Sequence, residues 1–229
     1  MLDDTAESEP LQPAAASVGI LLVNLGTPDA PTPAKLRSFL REFLSDRRVV
    51  DLPRWKWWPI LTFFILPFRA RHSAALYRKI WVENGSPLLI HTRRLGEALA
   101  DALNEKLTKP VHVAIGMRYG SHSIAAALRE LRDRGCTRYL VVPMFPQYSH
   151  TTIGSVMDAV NTELEKWAVP PEVRTVPGYH DNPAYIDAIS SSIRKTWAAD
   201  GTPDQLLLSF HGIPERYIAA GDPYEDECR

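Results

Sequence analysis

The feature of this sequence that most constrains its fold is the regular alternation of short apolar runs with longer amphipathic segments. Residues 18–23 are mostly Val, Ile and Leu and have the length of one strand, which is typical of a strand covered on both faces. Thr32 and Pro33 then supply a helix start, and apolar residues recur at helical spacing up to Leu44. The pattern predicts a buried strand followed by an amphipathic helix.

The same alternation continues along the rest of the chain. We expect further helices over residues 86–107, 121–134, 152–167 and 182–197, and further strands over residues 111–115, 139–142, 173–176 and 206–209. Strands that alternate with helices in this way are typical of an α/β fold with a parallel sheet of the doubly wound type.

The spacing of the elements predicts the domain organisation. Residues 1–17 are acidic and rich in Pro and Ala, without the basic and apolar regions of a secretory signal, and we interpret them as a flexible tail. Residues 18–177 predict an N-terminal Rossmann-like lobe. Residues 178–229 are fewer than a typical domain requires, so we interpret them as the start of a second, incomplete lobe.

Charge and cysteine usage exclude several functions. The chain has 26 Lys and Arg against 27 Asp and Glu, so it has no basic field for nucleic acid, and we expect no nucleic-acid partner. Cys136 and Cys228 are far apart and lack C-x-x-C spacing, so neither a disulfide framework nor a zinc knuckle is indicated. This usage favours a reducing cytoplasm.

The most apolar segment is residues 55–68, WKWWPILTFFILPF. It has about 14 residues and contains Pro59 and Pro67, whereas a helix that spans a bilayer needs about 20 residues, so we do not expect a transmembrane helix. Three Trp within four residues favour stacking or contact with an interface. The alternative is an irregular segment buried in the core.

Known phosphate and hydrolase motifs are absent, since the sequence has no G-x-G-x-x-G, G-x-x-x-x-G-K-[ST] or G-x-S-x-G. Ligands of open α/β sheets bind beyond the carboxyl ends of the strands, so the residues that follow each strand are the candidates. Arg118 and Tyr119 follow the second strand and suit a carboxylate and an aromatic surface, respectively. A surface ion pair and a packing Tyr are the alternative.

Two later strand ends carry further candidates. Tyr148 and Ser149 follow the third strand, where a helix N-cap at Ser149 or Thr151 explains part of the pattern without function. His211 follows the last predicted strand, in the sequence SFHGIP. A His there suits a neutral metal ligand or a base near pH 7, with a structural loop His as the alternative.

Seven short motifs, taken in order, resemble ferrochelatases over about residues 18–229. They are NLGTP at 24–28, YRKI at 77–80, NGSP at 84–87, MRY at 117–119, PQYS at 146–149, SFHGIP at 209–214 and GDPY at 221–224. The resemblance implies two Rossmann-like lobes around a porphyrin cleft. It also implies a lyase that inserts Fe²⁺ into protoporphyrin IX to form protohaem, the terminal step of haem biosynthesis. Fe²⁺ is then a substrate and no organic cofactor is required, while an iron–sulfur cluster in a fuller chain stays an open question.

The resemblance assigns roles to residues at the strand ends. His211 matches the essential His of the family, either as the base that accepts a pyrrole proton or as a ligand of the incoming metal. Arg118 and Tyr119 match residues that line the macrocycle pocket. Ser149, with the adjacent Tyr148, matches the pocket wall.

Further assignments fall in the first hundred residues. Arg69 falls where the family has a basic pocket residue, with Arg71 as an equal alternative, and Tyr77 belongs to the same region. Asn24 and Leu25 occupy the loop after the first strand. The family often has Met near the metal there, so Leu25 removes a soft ligand from that side.

The resemblance also gives residues 52–71 the role of an active-site lip. We expect residues 55–68 to touch a membrane surface, which places a cytoplasmic protein at the inner face of the membrane. The acidic residues that face the His in the family would follow Arg229, so we expect the chain to be inactive alone. Glu215 and the carboxylates at 225–227 are interpreted as exposed residues at helix starts.

Two other functions remain as alternatives. A related chelatase would place cobalt or nickel into a more carboxylated tetrapyrrole, but the Trp-rich lip favours protoporphyrin. A two-lobed binding protein would carry haem or metal without turnover.

Overall fold

The computed structural model describes residues 17–229. The predicted flexible tail therefore lies outside the described residues, except for Ser17, which begins the first strand.

One parallel sheet forms the centre of the described chain. Its strands are β1 (Ser17–Gly26), β2 (Val111–Tyr119), β3 (Cys136–Pro143) and β4 (Glu172–Thr175). They lie in the order β2-β1-β3-β4, and every pair is parallel. This confirms the α/β fold with a parallel sheet that the sequence predicts, whereas the division into two lobes stays a prediction.

Helices connect and flank the strands. They are α1 (Pro33–Leu44), α2 (Arg54–Pro59), α3 (Leu66–Ile80), α4 (Pro87–Lys106), α5 (Ile124–Asp133), α6 (Ser155–Leu164), α7 (Pro183–Asp200), α8 (Glu215–Ala219) and α9 (Tyr224–Cys228), with π-helical segments at Ile60–Ile65 and His150–Gly154. Thr32 caps α1 by accepting a hydrogen bond from the backbone N–H of Lys35, as the sequence predicts.

Successive residues of β1 pack on opposite faces of the sheet. Leu21 and Val23 join a core formed with α5, α6 and β3, whereas Ile20 and Leu22 join a smaller cluster on the face that α4 covers. All four side chains are buried, which explains why this strand reads as a continuous apolar run.

A third apolar cluster lies beside the sheet. It joins α1 to the helical segment that follows it, through Leu36, Phe39, Leu61 and Leu66, and it includes Tyr119 from the end of β2. The lip is thereby attached to the body of the fold through Leu61 and Leu66.

The predicted strand at residues 206–209 is wrong. The segment has no strand structure, and Leu207 and Leu208 are 81% and 70% exposed. A strand exists only where a neighbouring strand accepts and donates its backbone hydrogen bonds, and the described sheet ends at β2 and β4. The apolar pattern therefore indicated a segment suited to burial but could not supply its partner.

Residues 54–80 are helical throughout, because α2, the π-helical segment and α3 follow one another without a break. The reading of residues 55–68 as an irregular core segment is therefore wrong. Leu61 and Leu66 are buried, but Trp55, Phe63 and Phe68 are 75%, 70% and 74% exposed. No helix in the described part of the chain is long and apolar enough to cross a membrane.

The last described helices pack against the N-terminal part of the chain. Tyr217 in α8 donates a hydrogen bond to the carbonyl of Val49 (3.0 Å), and Arg216 pairs with Asp51 (2.7 Å). The segment that follows His211 is thus fixed to the residues that lead into the lip.

Candidate functional site

The order of the strands indicates which end of the sheet is the candidate site. The connection after β1 leads to β2 on one side, and the connection after β3 leads to β4 in the opposite direction. Ligands of such sheets bind at the carboxyl ends of the strands near this reversal. The backbone N–H of Met144 donates to the carbonyl of Val23 (2.7 Å), which holds the ends of β3 and β1 together. The segments that follow β1 and β3 therefore leave the sheet side by side, and Asn24 and Leu25 belong to the end of β1 and not to the loop that the sequence indicated.

Asn24 and Leu25 lie at this end of the sheet. The Asn24 side chain donates to the hydroxyl of Thr92 in α4 (3.1 Å) and accepts from the backbone N–H of Leu25 (2.8 Å). Leu25 is half-buried against the cluster of α1 and α3. Asn24 thus ties the end of β1 to α4, and the contact of both residues with substrate stays a prediction.

Arg118 and Tyr119 take part in a hydrogen-bond network around Asp46. The Asp46 carboxylate accepts from Arg118 Nη2 (2.6 Å), the Tyr119 hydroxyl (2.8 Å) and the Ser155 hydroxyl (2.5 Å). Arg118 Nε also donates to the backbone carbonyl of Ser155 (2.9 Å). One carboxylate therefore joins the end of β2 to the start of α6.

The network keeps Asp46 charged and Tyr119 neutral. Burial alone would raise the pKa of Asp46, but hydrogen bonds from Ser155, the Arg48 backbone and Tyr119, with the charge of Arg118, leave it lowered. Burial raises the pKa of the Tyr119 phenol, and the neighbouring Asp46 adds to this effect. Tyr119 is 1% exposed, so a ligand would reach it only after its neighbours moved. Its assignment to the substrate pocket stays a prediction.

Sequence reasoning did not identify Asp46 or Ser155. Asp46 follows α1 in a segment without a recognisable motif, and it is 72 residues from Arg118 in the sequence. The available signal was a partly buried Arg at a strand end, because such a cation requires a carboxylate nearby.

Ser149 is almost fully buried and begins the π-helical segment. Its hydroxyl accepts from the backbone N–H of Thr151 (3.1 Å), which confirms the predicted N-cap, and it donates to the carboxylate of Asp222 (2.8 Å). The ring of Tyr148 meets that of His150 edge-on at 5.7 Å. The roles of Tyr148 and Ser149 in substrate binding stay predictions.

The carboxylates of the last segment do not all behave as expected. Glu227 accepts from the backbone N–H of Tyr148 (2.6 Å) and lies 3.2 Å from His180 Nδ1, so its interpretation as an exposed residue at a helix start is wrong. Glu225 pairs instead with Arg229 at the surface. Asp222, which the sequence offered only as part of the GDPY motif, is buried.

The candidates in α3 lie along the lip. Arg69 and Arg71 are both exposed, and neither side chain has a hydrogen-bond partner among residues 17–229. Tyr77 is half-buried, its pKa is raised by burial, and its ring lies 6.3 Å from that of Trp81. The choice between Arg69 and Arg71 stays open.

His211 lies in an irregular segment at the mouth of an open pocket of about 260 Å³. Phe210, Ile213, Ile218 and Tyr224 line this pocket, and Glu215, Glu225 and Cys228 complete its edge. None of the other predicted site residues lines it. The described residues also contain no group of three or more His, Cys, Asp or Glu side chains placed to hold a metal ion. The role of His211 as base or ligand therefore stays a prediction.

Comparison with known proteins identifies the family whose sequences this chain resembles. The family model described as Ferrochelatase matches residues 17–229, which is nearly the whole chain.

Individual relatives agree with that match. The chain is 50% identical to a ferrochelatase of Thioalkalivibrio sulfidiphilus over 92% of its residues, 50% identical to one of Photobacterium profundum over 92%, and 51% identical to one of Azoarcus sp. strain BH72 over 94%. The matches cover 57%, 63% and 59% of those proteins, so the chain spans about three fifths of their length. From the family match and these identities, we conclude that the chain belongs to the ferrochelatase family.

Proposed function

We propose that the protein, as a lyase of haem biosynthesis, inserts Fe²⁺ into protoporphyrin IX and releases two pyrrole protons. The match of the ferrochelatase family model to residues 17–229 carries this proposal. The identities of about 50% to proteins named ferrochelatase support it further, and no observation favours a chelatase of another metal or a carrier without turnover.

His211 is the proposed centre of the reaction. Its exposed imidazole borders a pocket whose other walls are largely apolar, and a neutral imidazole there accepts a pyrrole proton or ligates the entering Fe²⁺. Both roles require an unprotonated ring.

The porphyrin must extend beyond the pocket that His211 borders. Small-molecule sites usually occupy about 300–1,000 Å³, and this pocket has about 260 Å³. Leu207, Leu208 and Phe210, which come shortly before His211 in the sequence, give this segment an exposed apolar surface. We propose that the macrocycle lies on this surface, and that binding energy along its apolar edge holds the ring bent, so that the nitrogen lone pairs become accessible.

Arg69, with Arg71 as an equal alternative, is the proposed anchor for a propionate. Arg118 already donates hydrogen bonds to Asp46 and Ser155, whereas the side chains of Arg69 and Arg71 are exposed and have no hydrogen-bond partner among the described residues. A free guanidinium binds a carboxylate through two parallel hydrogen bonds. Arg118 then shapes the wall of the site.

The activity can be tested with a chimera that joins residues 1–229 to the remaining C-terminal part of the Thioalkalivibrio sulfidiphilus relative. We expect this chimera to form metalloporphyrin in an absorbance assay and the 229-residue chain alone to be inactive. Equal turnover by both would contradict the proposal that the reaction needs residues beyond Arg229. No insertion by the chimera would contradict the proposed function.

The role of His211 is tested in the same chimera. We expect His211→Ala to lose insertion by about 100-fold or more while it still binds porphyrin, since a positioned base contributes about 10²–10⁴-fold. His91→Ala changes an exposed His of α4 and is the matched control. Unchanged insertion by His211→Ala would exclude a central role for this residue.

We further propose that the protein works in the cytoplasm and that residues 55–68 contact the membrane surface. Trp55, Phe63 and Phe68 are exposed, and the segment from Leu52 to Val82 has no Asp or Glu, which suits an anionic lipid surface. Aromatic side chains of this kind sit at the boundary between headgroups and acyl chains.

Flotation with phosphatidylglycerol vesicles tests the membrane contact. We expect the protein to bind, and the double variant Phe63→Ser/Phe64→Ser to lose most of this binding. Val169→Ser removes an equally exposed apolar side chain outside the lip, so it should bind as the unchanged protein does. An unchanged protein that does not float would contradict the contact.

A further inference from the structure

The GDPY motif, which the proposed reaction leaves without a role, places a buried carboxylate just before α9, a helix that lines the His211 pocket. The Asp222 side chain is 0% exposed. It accepts hydrogen bonds from the Ser149 hydroxyl (2.8 Å), the backbone N–H of His150 (2.8 Å) and the backbone N–H of Tyr224 (3.1 Å). A buried charge is retained at such a cost only when its partners are fixed around it.

The donors to Asp222 come from two different parts of the chain. Ser149 and His150 belong to the loop that follows β3, at the reversal of the sheet, whereas Tyr224 begins α9. The Asp222 carboxylate can only accept, so the Ser149 hydroxyl donates its proton to it while accepting from the backbone N–H of Thr151. Asp222 therefore joins α9 to the loop that follows β3.

The helix that Asp222 holds is also a wall of the His211 pocket. Tyr224, Glu225 and Cys228 of α9 line this pocket. A displacement of α9 would therefore change the walls around the imidazole. Glu227 adds a second contact of α9 to the same loop, through the backbone N–H of Tyr148 (2.6 Å).

We propose that Asp222 is a positioning residue. It holds α9 against the loop that follows β3 and so sets the geometry of the pocket in which His211 contacts the porphyrin. This inference rests on the proposed function for its kinetic consequence, but its structural consequence can be measured without turnover. Asp222 itself does not line the His211 pocket, so it acts through Ser149 and α9.

Asp222→Asn is the informative substitution. It keeps the volume of the side chain, but it replaces one accepting oxygen by an NH₂ group, which faces the donors that Asp222 binds. In the chimera we expect kcat for iron insertion to fall by about 10- to 100-fold with little change in the porphyrin KM, since small misplacements of reacting groups cost this much. Asp226→Asn is the matched control, because it makes the same change on the exposed side of α9 and should leave kcat unchanged.

The rate at which iodoacetamide alkylates Cys228 reports how firmly α9 is held in the 229-residue chain. Cys228 is half-exposed and Cys136 is buried, so the two thiols are separated by their rates. We expect Asp222→Asn to raise the Cys228 rate about tenfold, because α9 loses a charge-assisted anchor. If Asp222→Asn does not fold, Ser149→Ala removes a single donor and should raise the rate in the same direction, whereas Ser149→Thr should restore it.

The outcomes separate the two proposals. If Asp222→Asn changes neither kcat nor the alkylation rate of Cys228, the positioning role is overturned. The same holds if the substitution lowers the Tm but leaves both of these quantities unchanged. If the unsubstituted chimera does not insert iron, the proposed function fails, and the alkylation rate alone decides whether Asp222 positions α9.

Discussion

At the scale of single residues, Asp46 is the clearest case of a side chain that the fold requires in its charged form. Its carboxylate is 8% exposed and joins α1, β2 and α6 through Ser155, Arg118 and Tyr119. The net lowering of its pKa from 3.8 means that folding favours the charged form.

We expect Asp46→Asn to lower the free energy of unfolding by about 2–3 kcal/mol, because it leaves a partly buried Arg118 without its counter-charge. Urea unfolding at pH 7 measures this loss. Asp158→Asn, which breaks the exposed pair with Arg48, should cost under about 1 kcal/mol. Equal losses in the two variants would contradict the importance of the Asp46 network.

The lowered pKa of Glu163 predicts how the stability of the fold changes in acid. A hydrogen bond from Arg129 lowers the pKa of Glu163 from 4.5 to about 2, with further hydrogen bonds from Lys166 and Trp167 outweighing burial. Its contribution to stability is therefore complete above pH 4.5 and is lost as the pH falls toward 2. We expect Glu163→Gln to flatten the stability profile in this window, and exposed Glu165→Gln to leave it unchanged.

At the scale of elements, the ends of β1 and β2 approach so closely that only glycine fits between them. Gly26 has a φ of 116°, and a Cβ there would lie 2.0 Å from the carbonyl oxygen of Tyr119. Because that atom belongs to the backbone of the paired strand, the two strand ends would have to separate.

We expect Gly26→Ala to destabilise the protein by more than about 3 kcal/mol, through both the forbidden φ and the clash. Gly135→Ala is the matched control, since Gly135 has a φ of 75° but no atom within 4 Å of an added Cβ, so it should cost about 1 kcal/mol. Thermal unfolding distinguishes the two. A mild effect of Gly26→Ala would show that the strand ends can move apart.

The elements also show how far the sequence predicts this fold. β1 and α1 are predictable because a buried run and a Thr-Pro start are local signals. The strand at 206–209 is not, because strand structure depends on a partner elsewhere in the chain. The networks around Asp46 and Asp222 depend likewise on contacts across 72 or more residues, which no local motif records.

At the scale of the whole molecule, the described chain divides into well-packed and loosely packed parts. β1 is buried along most of its length, whereas no residue of α7 is buried, and Ile186 is 45% exposed. Isolated helices of this length are marginal in water, so α7 depends on packing that it lacks here.

We expect native-state hydrogen exchange to show this difference directly. Amides of α7 should be protected at least 100-fold less than those of β1, because opening them exposes little apolar surface. Amides of the central part of β3 serve as the internal reference. Equal protection of α7 and β1 would mean that α7 has a stabilising contact among the described residues.

The position of β1 has a consequence for synthesis of the chain. Val18 pairs on one side with Val111 and on the other with Arg138, so β1 leaves the ribosome well before either of its neighbouring strands. Translation proceeds at about 5–20 residues per second, so this apolar strand stays without its two hydrogen-bonding partners, β2 and β3, for several seconds. A nascent chain of this kind is a natural client for the chaperones that meet polypeptides at the exit tunnel.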